Sequence, residues 1–283
     1  MKKVKKIHKA EYRPIDDLIT YSPMPTKTLS YIDPFLFLNH HGPQVYPPNN
    51  NGLPFGPHPH RGMETVTIIL DGDISHKDSG GHESIIGAGG IQWMTAGSGL
   101  IHAETSSSNF LKTGGNLEIL QLWLNLPAKH KMDAPFYSGK QREEIPLIQI
   151  SEGVKMSLIS GNIDNFAGAF TNVTNTFLSV VNAEKGSSFQ LDVSPSRNIF
   201  FYMIKGKLVV NEIKAQKLDL VEFSNEGENI KVYSEEDATI LLGHSLPLNE
   251  PIVAQGPFVM NTEEEIAQAY RDYRSGKFGT WNA

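Results

Sequence analysis

Short runs of β-branched and aliphatic residues, each ended by turn-forming residues, constrain the fold of this chain most. Residues 65–70 lead into Asp71-Gly72-Asp73, and residues 117–124 are stopped by Asn125-Leu126-Pro127. Strands of this length, separated by Gly, Pro, Asp and Asn, are typical of sandwiches and barrels. The sequence therefore predicts an all-β fold.

The same rhythm returns in the second half of the chain. Residues 198–204 end at Lys205-Gly206-Lys207, so Gly206 follows an apolar run just as Gly72 does, and further runs cover 218–223 and 238–243. We interpret this as a weak internal duplication of two similar β-domains. The join is expected within residues 134–149, which divides the chain into residues 1–140 and 141–283.

One helix is predicted near the C-terminus, at about residues 262–275. Thr262 and Glu265 have the spacing of a capping box, and Gly276 is a natural stop. The apolar residues of this segment share one helical face: Ile266, Ala269, Tyr270 and Tyr273. We expect a helix that packs on a barrel and has a structural role.

Composition excludes several classes of protein. The net charge is −6 and no basic stripe is present, which argues against direct binding to nucleic acid. The chain has no cysteine, so disulfides and thiolate ligands are excluded. Neither a signal peptide nor an apolar stretch of membrane-spanning length is found. We expect a soluble cytoplasmic protein without a membrane partner.

Histidines are concentrated in the first half, where two short patterns offer metal ligands. His58-Pro59-His60 and His102-Ala103-Glu104 each place two ligand groups at positions i and i+2. Such positions share one face of a strand, so two neighbouring strands would bring four ligands together. Imidazole and carboxylate donors suit Fe, Mn, Ni, Cu or Zn better than Ca or Mg.

Other polar and aromatic residues near these patterns are harder to assign. Glu64 keeps the strand parity of His60, and we favour a structural role or the orientation of a ligand imidazole over a role as ligand or base. Arg61 has the opposite parity and is expected to form a salt bridge. Four further histidines could line the entrance of the barrel or lie in loops, and we favour loops: His40, His41, His76 and His82. Trp93 and Trp123 could belong to the core or to a pocket wall.

Longer motifs around these residues resemble a known family. The spacing Gly52…His58-x-His60…Glu64 and Gly97-x-Gly99…His102 resembles the two cupin motifs, although Gly72 comes one residue late and Gly97 stands where cupins commonly carry proline. Residues 58–67, 92–104 and 255–262 are similar to the pirin branch of the cupins, in which these departures are usual. The resemblance spans both halves and the C-terminal helix.

Membership of the pirin family would imply a bicupin, with two jelly-roll-like β-barrels and a C-terminal helix. The first barrel, residues 1–140, would hold one divalent metal through His58, His60, His102 and Glu104. Fe(II) is the usual occupant, and Zn, Mn, Ni, Co or Cu are alternatives. The second barrel, residues 141–283, would lack ligands.

The resemblance also implies an activity and its alternatives. Some pirins are quercetin 2,3-dioxygenases, so the leading hypothesis is cleavage of flavonols by O2, with Glu104 as the catalytic group that takes the proton of the flavonol 3-hydroxyl. The alternative is a non-catalytic, metal-dependent regulator that binds a transcription factor or a metabolic enzyme. A third possibility is a cupin isomerase or hydrolase that acts on an unrelated small molecule.

Overall fold

The computed structural model describes residues 1–281, and most of them lie in β-strands. The strands of the first half are β1 (Val4–Lys9), β2 (Glu11–Tyr12), β3 (Thr20–Met24), β4 (Phe35–Tyr46), β5 (Phe55–His60), β6 (Met63–Asp71), β7 (Asp73–Asp78), β8 (Glu83–Gly87), β9 (Ile91–Thr95), β10 (Leu100–Thr105), β11 (Gly115–Asn125) and β12 (Phe136–Lys140). The all-β prediction is confirmed.

The strands of the second half follow the same pattern. They are β13 (Leu147–Ser151), β14 (Val154–Ser160), β15 (Asn162–Ile163), β16 (Phe166–Ala167), β17 (Phe177–Ala183), β18 (Ser188–Asp192), β19 (Asn198–Lys205), β20 (Lys207–Val210), β21 (Ile213–Gln216), β22 (Asp219–Phe223), β23 (Asn229–Ser234), β24 (Ala238–Ser245), β25 (Val253–Gln255) and β26 (Phe258–Met260). The α-helices are α1 (Ser108–Thr113) and α2 (Glu263–Arg274).

Two compact units are formed, and each combines a seven-stranded with a four-stranded sheet. The first barrel comprises residues 12–21, 35–143 and 248 onward; the second comprises residues 1–11, 22–34 and 144–247. The sheets of the first have the orders β12-β9-β6-β11-β4-β3-β2 and β5-β10-β7-β8, and those of the second β1-β22-β19-β24-β17-β14-β13 and β18-β23-β20-β21. The two strand orders correspond one to one, as expected of a duplication.

The tight turns after corresponding strands show the same repeat. Gly72 joins β6 to β7 at φ 83°, and Gly206 joins β19 to β20 at φ 77°. A Cβ atom on Gly206 would lie 2.2 Å from the Asp237 carbonyl oxygen, so both the backbone conformation and the available space favour glycine there. The alignment of these two glycines in the sequence therefore reflects equivalent hairpins.

The terminal segments do not follow the division at residues 140 and 141. The chain passes from one unit to the other between Glu143 and Glu144, inside the predicted join. However, β1 pairs with β22 of the second barrel, in the place that β12 takes beside β9 in the first. The segment from Leu248 onward, including α2, belongs to the first barrel rather than to the second. The edge of a sheet presents unpaired N–H and C=O groups, which favour pairing with a further strand. The sequence around β1 does not indicate which sheet edge it pairs with.

Helix α2 has the predicted capping box. The Thr262 hydroxyl accepts a hydrogen bond from the Glu265 N–H at 3.2 Å, and the Glu265 carboxylate accepts one from the Thr262 N–H at 3.0 Å. Ile266 and Ala269 are buried as expected, but Tyr273 is 37% exposed and Asp272 lies on the buried face. Helix α1 was not predicted, because its six residues are too few to show a helical period.

Apolar packing differs between the two barrels. Inward-facing residues of the second barrel join one large hydrophobic core, which includes Phe189, Leu208, Ile230 and Val232. In the first barrel the equivalent cluster, around Ile69, Ile74, Ile86, Leu117 and Ile119, is smaller. Histidine, glutamate, glutamine and threonine side chains are buried in the same barrel. Burial of such groups costs free energy unless they are hydrogen-bonded or bind a ligand, so the first barrel is the better candidate for a functional site.

Candidate metal centre

Three predicted ligands converge in the first barrel. Strands β5 and β10 are antiparallel neighbours, with His102 directly opposite His58 and Leu100 opposite His60. The Nε2 atoms of His58 and His102 are 3.0 Å apart, and the ring centroids of the three histidines are 4.5–5.0 Å from one another. One ring nitrogen from each histidine lies within 4.8 Å of the others. The i, i+2 parity of His58 and His60 therefore delivers both imidazoles to one point.

The donor atoms of these histidines fit a divalent transition metal. Ring nitrogens bind such ions at about 2.0–2.1 Å, so two nitrogens at right angles around one ion lie about 3 Å apart, as His58 and His102 do. The Nδ1 atom of His58 is 2.7 Å from the Gly56 carbonyl oxygen, and that of His60 is 3.2 Å from the Pro257 carbonyl oxygen. A carbonyl only accepts, so Nδ1 carries the proton and Nε2 keeps the lone pair that a metal needs.

Burial holds His60 and His102 in their neutral form, the form that can bind a metal. Desolvation, with a contribution from His58, lowers the pKa of His60 to about 3. Desolvation and the neighbouring imidazoles lower the pKa of His102 well below its ordinary value. Both side chains are almost fully buried. They are therefore available as ligands throughout the neutral and mildly acidic range.

Glu104 lies two residues beyond His102 on the same strand, and its side chain is buried. Its Oε1 accepts a hydrogen bond from the Thr67 hydroxyl at 2.6 Å, and its Oε2 accepts one from the Gln121 amide at 2.5 Å. Thr67 and Gln121 are themselves opposite each other on β6 and β11. Among residues 1–281, the group of ligand atoms within 4.8 Å of one another contains the three histidines and not Glu104. Its role as the fourth ligand stays a prediction.

The structure does not bring Glu64 to the histidines. Strand β5 ends at His60, and Gly62, at φ 78°, turns the backbone before β6 begins, so strand alternation restarts there. Thr67, which contacts Glu104, and Glu64 are three residues apart on β6 and therefore face opposite sides. The Thr95 hydroxyl donates to Glu64 at 2.7 Å, and burial raises the pKa of Glu64. The parity counted from His60 was therefore misleading.

His76 is a neighbour of the centre that the sequence analysis placed in a loop. It lies on β7, fully buried, with its ring centroid 5.5 Å from that of His102. Its ring stacks on Tyr137 at 3.9 Å and 10°, and its Nε2 is 3.1 Å from the Asp78 carboxylate. The burial of β7 alternates strictly, but two of its three buried positions are the polar residues His76 and Asp78, so the strand lacks a pattern of alternating apolar residues.

The other histidines assigned to loops divide in the same way. His40 and His41 lie on β4 and are buried, so the loop prediction is wrong for both. His82 lies between β7 and β8 with its side chain 48% exposed, as predicted. Arg61 forms the expected salt bridge, with Asp272 at 2.9 Å. Whether a histidine is buried here depends more on whether it lies in a strand paired on both sides than on the polarity of its side chain.

Polar and aromatic groups line the wall beside the centre. Trp123 meets the His60 ring edge-on at 5.2 Å and stacks on Phe37 at 4.6 Å. Gln92 lies on β9 opposite Thr67 and is 2% exposed. Within the described part of the chain, neither amide atom of Gln92 nor the indole N–H of Trp123 has a hydrogen-bond partner. Trp123 is thus wall rather than core, and the wall offers free hydrogen-bonding groups to a ligand.

The second barrel offers no comparable arrangement in residues 1–281. The strands that correspond to β5 and β10 are β18 and β23, and they bury Phe189, Ile230 and Val232. His244, the one histidine of residues 144–247, stacks on Phe177 at 4.6 Å and accepts a hydrogen bond from Arg197 Nε at 2.7 Å. Hydrocarbon side chains occupy the space in which ligands would have to stand.

Helices of the described chain are all too short or too polar to cross a membrane.

Two family models match: "Pirin" over residues 17–124 and "Pirin C-terminal cupin domain" over residues 178–279. The two matches fall in the two halves of the chain, on either side of the join.

Relatives match over nearly the whole chain. A Pseudomonas aeruginosa protein whose name proposes a quercetin 2,3-dioxygenase is 34% identical over 268 residues, which cover 94% of this chain and 92% of that protein. A "Pirin-like protein" of Caulobacter vibrioides is 36% identical and covers 89% of this chain and 90% of its own. The crystal structure of quercetin 2,3-dioxygenase from Acinetobacter baumannii matches with a TM-score of 0.93, 35% identity and 99% of both chains.

Proposed function

Because this chain belongs to the pirin family, a family of bicupins, we propose that it is a metal-dependent dioxygenase that cleaves the ring of flavonols such as quercetin. The observation that carries the proposal is the cluster of three imidazoles, those of His60 and His102 buried and neutral, with two Nε2 atoms 3.0 Å apart, inside a barrel with a polar wall. Similarity to the Acinetobacter baumannii quercetin 2,3-dioxygenase supports the choice of substrate.

His58, His60 and His102 would hold one divalent metal, with Glu104 proposed as the fourth ligand. Imidazole donors favour a transition ion, and we propose Fe(II), with Zn, Mn, Ni, Co and Cu as alternatives. When bound, the ion would supply Lewis-acid polarisation of a substrate oxygen and a template for the substrate and O2. The protein's contribution is to keep the ligand nitrogens deprotonated and the site enclosed.

Glu104 is proposed to accept the proton of the flavonol 3-hydroxyl. Two donors, the Thr67 hydroxyl and the Gln121 amide, hold its carboxylate in one orientation. A general base has to be held within hydrogen-bond reach of the proton that it takes, and these contacts supply that constraint. Replacement by glutamine would keep the shape and remove the base.

The walls of the barrel are proposed to bind the flat rings of the flavonol. The stacked pairs Tyr137–His76 and Trp123–Phe37 offer aromatic surfaces beside the histidines. Aromatic rings pack well against planar ligands, and the free amide of Gln92 can pair with ring hydroxyls. These contacts would orient the substrate and exclude water from it.

One experiment tests metal and activity together. Protein purified without added metal is analysed for its elements, loaded with Fe(II), and assayed in air for O2 consumption and loss of quercetin absorbance. We expect about one metal per chain and turnover; His60→Ala should lose both, whereas His244→Gln in the second barrel should keep both. A metal-replete protein that neither consumes O2 nor bleaches quercetin would overturn the dioxygenase assignment and favour the non-catalytic, regulatory alternative.

A further inference from the structure

Lys131 is a buried lysine in the first barrel whose side chain is only 1% exposed. Its Nζ donates three hydrogen bonds: to the Gly62 carbonyl at 2.8 Å, to the Asn125 side-chain oxygen at 2.6 Å and to the Val259 carbonyl at 3.0 Å. An ammonium has three N–H donors, so this one is fully bonded. Burial lowers the pKa of Lys131 to about 8 against the raising influence of Glu250 and Glu265, which leaves it charged at neutral pH.

The three acceptors belong to segments that are far apart in the sequence. Gly62 follows the ligand His60 by two residues, Asn125 ends β11, and Val259 lies in β26. A Cβ atom on Gly62 would lie 2.0 Å from the Val259 carbonyl oxygen, which shows how closely the two backbones approach. Two carbonyl oxygens that face one point repel each other, and the ammonium between them offsets that repulsion.

The Lys131 contact also positions the hydrogen-bond partner of His60, a proposed metal ligand. Pro257, two residues before Val259, accepts the hydrogen bond from His60 Nδ1 at 3.2 Å. The Val259 N–H donates to the Arg61 carbonyl at 3.0 Å, so residues 257–259 run alongside residues 60–62. A shift between the two segments would separate the Pro257 carbonyl from His60.

Arg61 makes a second set of contacts between the segment after His60 and the C-terminal segment. Arg61 donates to Asp272 of α2 at 2.9 Å and to the Ser98 carbonyl at 2.7 Å, and its guanidinium lies 4.6 Å from the centre of the Phe278 ring. The C-terminal segment is therefore attached at Arg61 and at Gly62, immediately after His60.

We propose that Lys131 is a positioning residue for the metal centre: its ammonium holds residues 257–259 against residues 60–62 and so keeps the Pro257 carbonyl on His60 Nδ1. That hydrogen bond selects the tautomer in which His60 Nε2 is free to bind a metal. Partners that orient a ligand imidazole in this way typically change metal affinity 10- to 100-fold when they are lost. The proposal rests on the metal-binding part of the proposed function and not on the substrate.

The test compares two buried lysines. Lys131→Met keeps most of the side-chain stem and removes the charge, and the matched control is Lys2→Met in the second barrel, where Lys2 is fully buried and donates to the Ser194 carbonyl at 3.3 Å. Zn(II) affinity is measured by competition with a chromophoric chelator. We expect Lys131→Met to weaken binding about 10- to 100-fold and Lys2→Met to stay within about twofold. Wild-type affinity in Lys131→Met, or equal losses in both variants, would overturn the proposal.

A second readout does not depend on metal. Nitrogen-15 NMR of the metal-free protein reports which ring nitrogen of His60 carries the proton, and we expect the Nδ1–H form in the wild type and a mixture in Lys131→Met. If Lys131→Met does not fold, Lys131→Leu, which also removes every N–H donor, takes its place with the same expectations. Failure of the wild type to bind any divalent ion would contradict the metal centre, whereas an unchanged His60 tautomer would contradict the role of Lys131.

Discussion

At the scale of single residues, Gln92 is informative because the burial of its amide without hydrogen bonds destabilises the protein. Its amide lies inside the first barrel, 2% exposed, and neither of its polar atoms is bonded within residues 1–281. A buried polar group without a partner costs about 1–3 kcal/mol of stability. In a binding site such a cost is offset when a ligand supplies the missing partner. Gln92 is therefore the side chain expected to select a hydroxylated substrate.

Replacement of Gln92 by leucine tests this expectation. The variant should raise KM about tenfold for quercetin, which carries hydroxyls on its outer rings, and leave KM unchanged for 3-hydroxyflavone, which has only the 3-hydroxyl. It should also stabilise the ligand-free protein by about 1 kcal/mol, since the unbonded amide is removed. Steady-state kinetics with both flavonols and urea unfolding provide the measurements. An equal rise in KM for both substrates would show that Gln92 shapes the site without distinguishing substrates by their hydroxyl groups.

Glu104 provides the other residue-scale prediction. Glu104→Gln keeps the size of the side chain and removes the proton acceptor, so kcat for quercetin should fall at least 100-fold, in line with the usual contribution of a general base. Metal content, measured by elemental analysis, separates the two proposed roles. Loss of metal would point to ligation as the main role, and undiminished kcat would contradict the role as base.

At the scale of secondary-structure elements, local patterns predicted what local interactions decide. The capping box of α2 could be read from Thr262 and Glu265, because both of its hydrogen bonds lie within four residues. The strand β7 could not be found in the same way, since His76 and Asp78 owe their burial to strands β8 and β10 on either side. A polar strand is recognisable only from its partners.

The capping box itself can be tested by substitution. Thr262→Ala removes the hydroxyl that accepts from the Glu265 N–H and should destabilise the protein by about 1 kcal/mol, whereas Thr262→Ser keeps the acceptor and should cost less than half as much. Urea unfolding at neutral pH, followed by circular dichroism, compares the two. Equal stability of the alanine variant and the wild type would mean that packing of α2 alone holds its first turn.

At the scale of the whole molecule, two barrels with the same strand order differ in the polarity of their interiors. The strand orders of the two barrels correspond, yet one buries the polar residues around the candidate metal centre and the other encloses one large hydrophobic core. The metal-free protein contains neutral histidines in both barrels. Desolvation in particular lowers the pKa values of His41, His60 and His244 to about 3 each.

These histidines predict how the stability of the metal-free protein depends on pH. Their folded pKa values lie below the unfolded value near 6.5, so their contribution is complete above pH 6.5 and is lost as the pH falls toward 3. Between these values each histidine should lower the free energy of unfolding by about 1.4 kcal/mol per pH unit. His244→Gln should reduce that slope by about one proton, as measured by urea unfolding from pH 6.5 to 4.5. An unchanged slope would show that His244 is protonated in the fold.

The sequence by itself determined the all-β class, the duplication, the capped helix and the pairs of candidate ligands on β5 and β10. Each of these depends on residues close together in the chain, where a period of two or a fixed hydrogen-bond spacing applies. Only the tertiary structure decided that β1 completes the second barrel, that Glu64 faces away from the histidines, and that Lys131 ties Gly62 to Val259. Those outcomes depend on which distant backbone lies alongside, and strand pairing over such separations leaves no local trace.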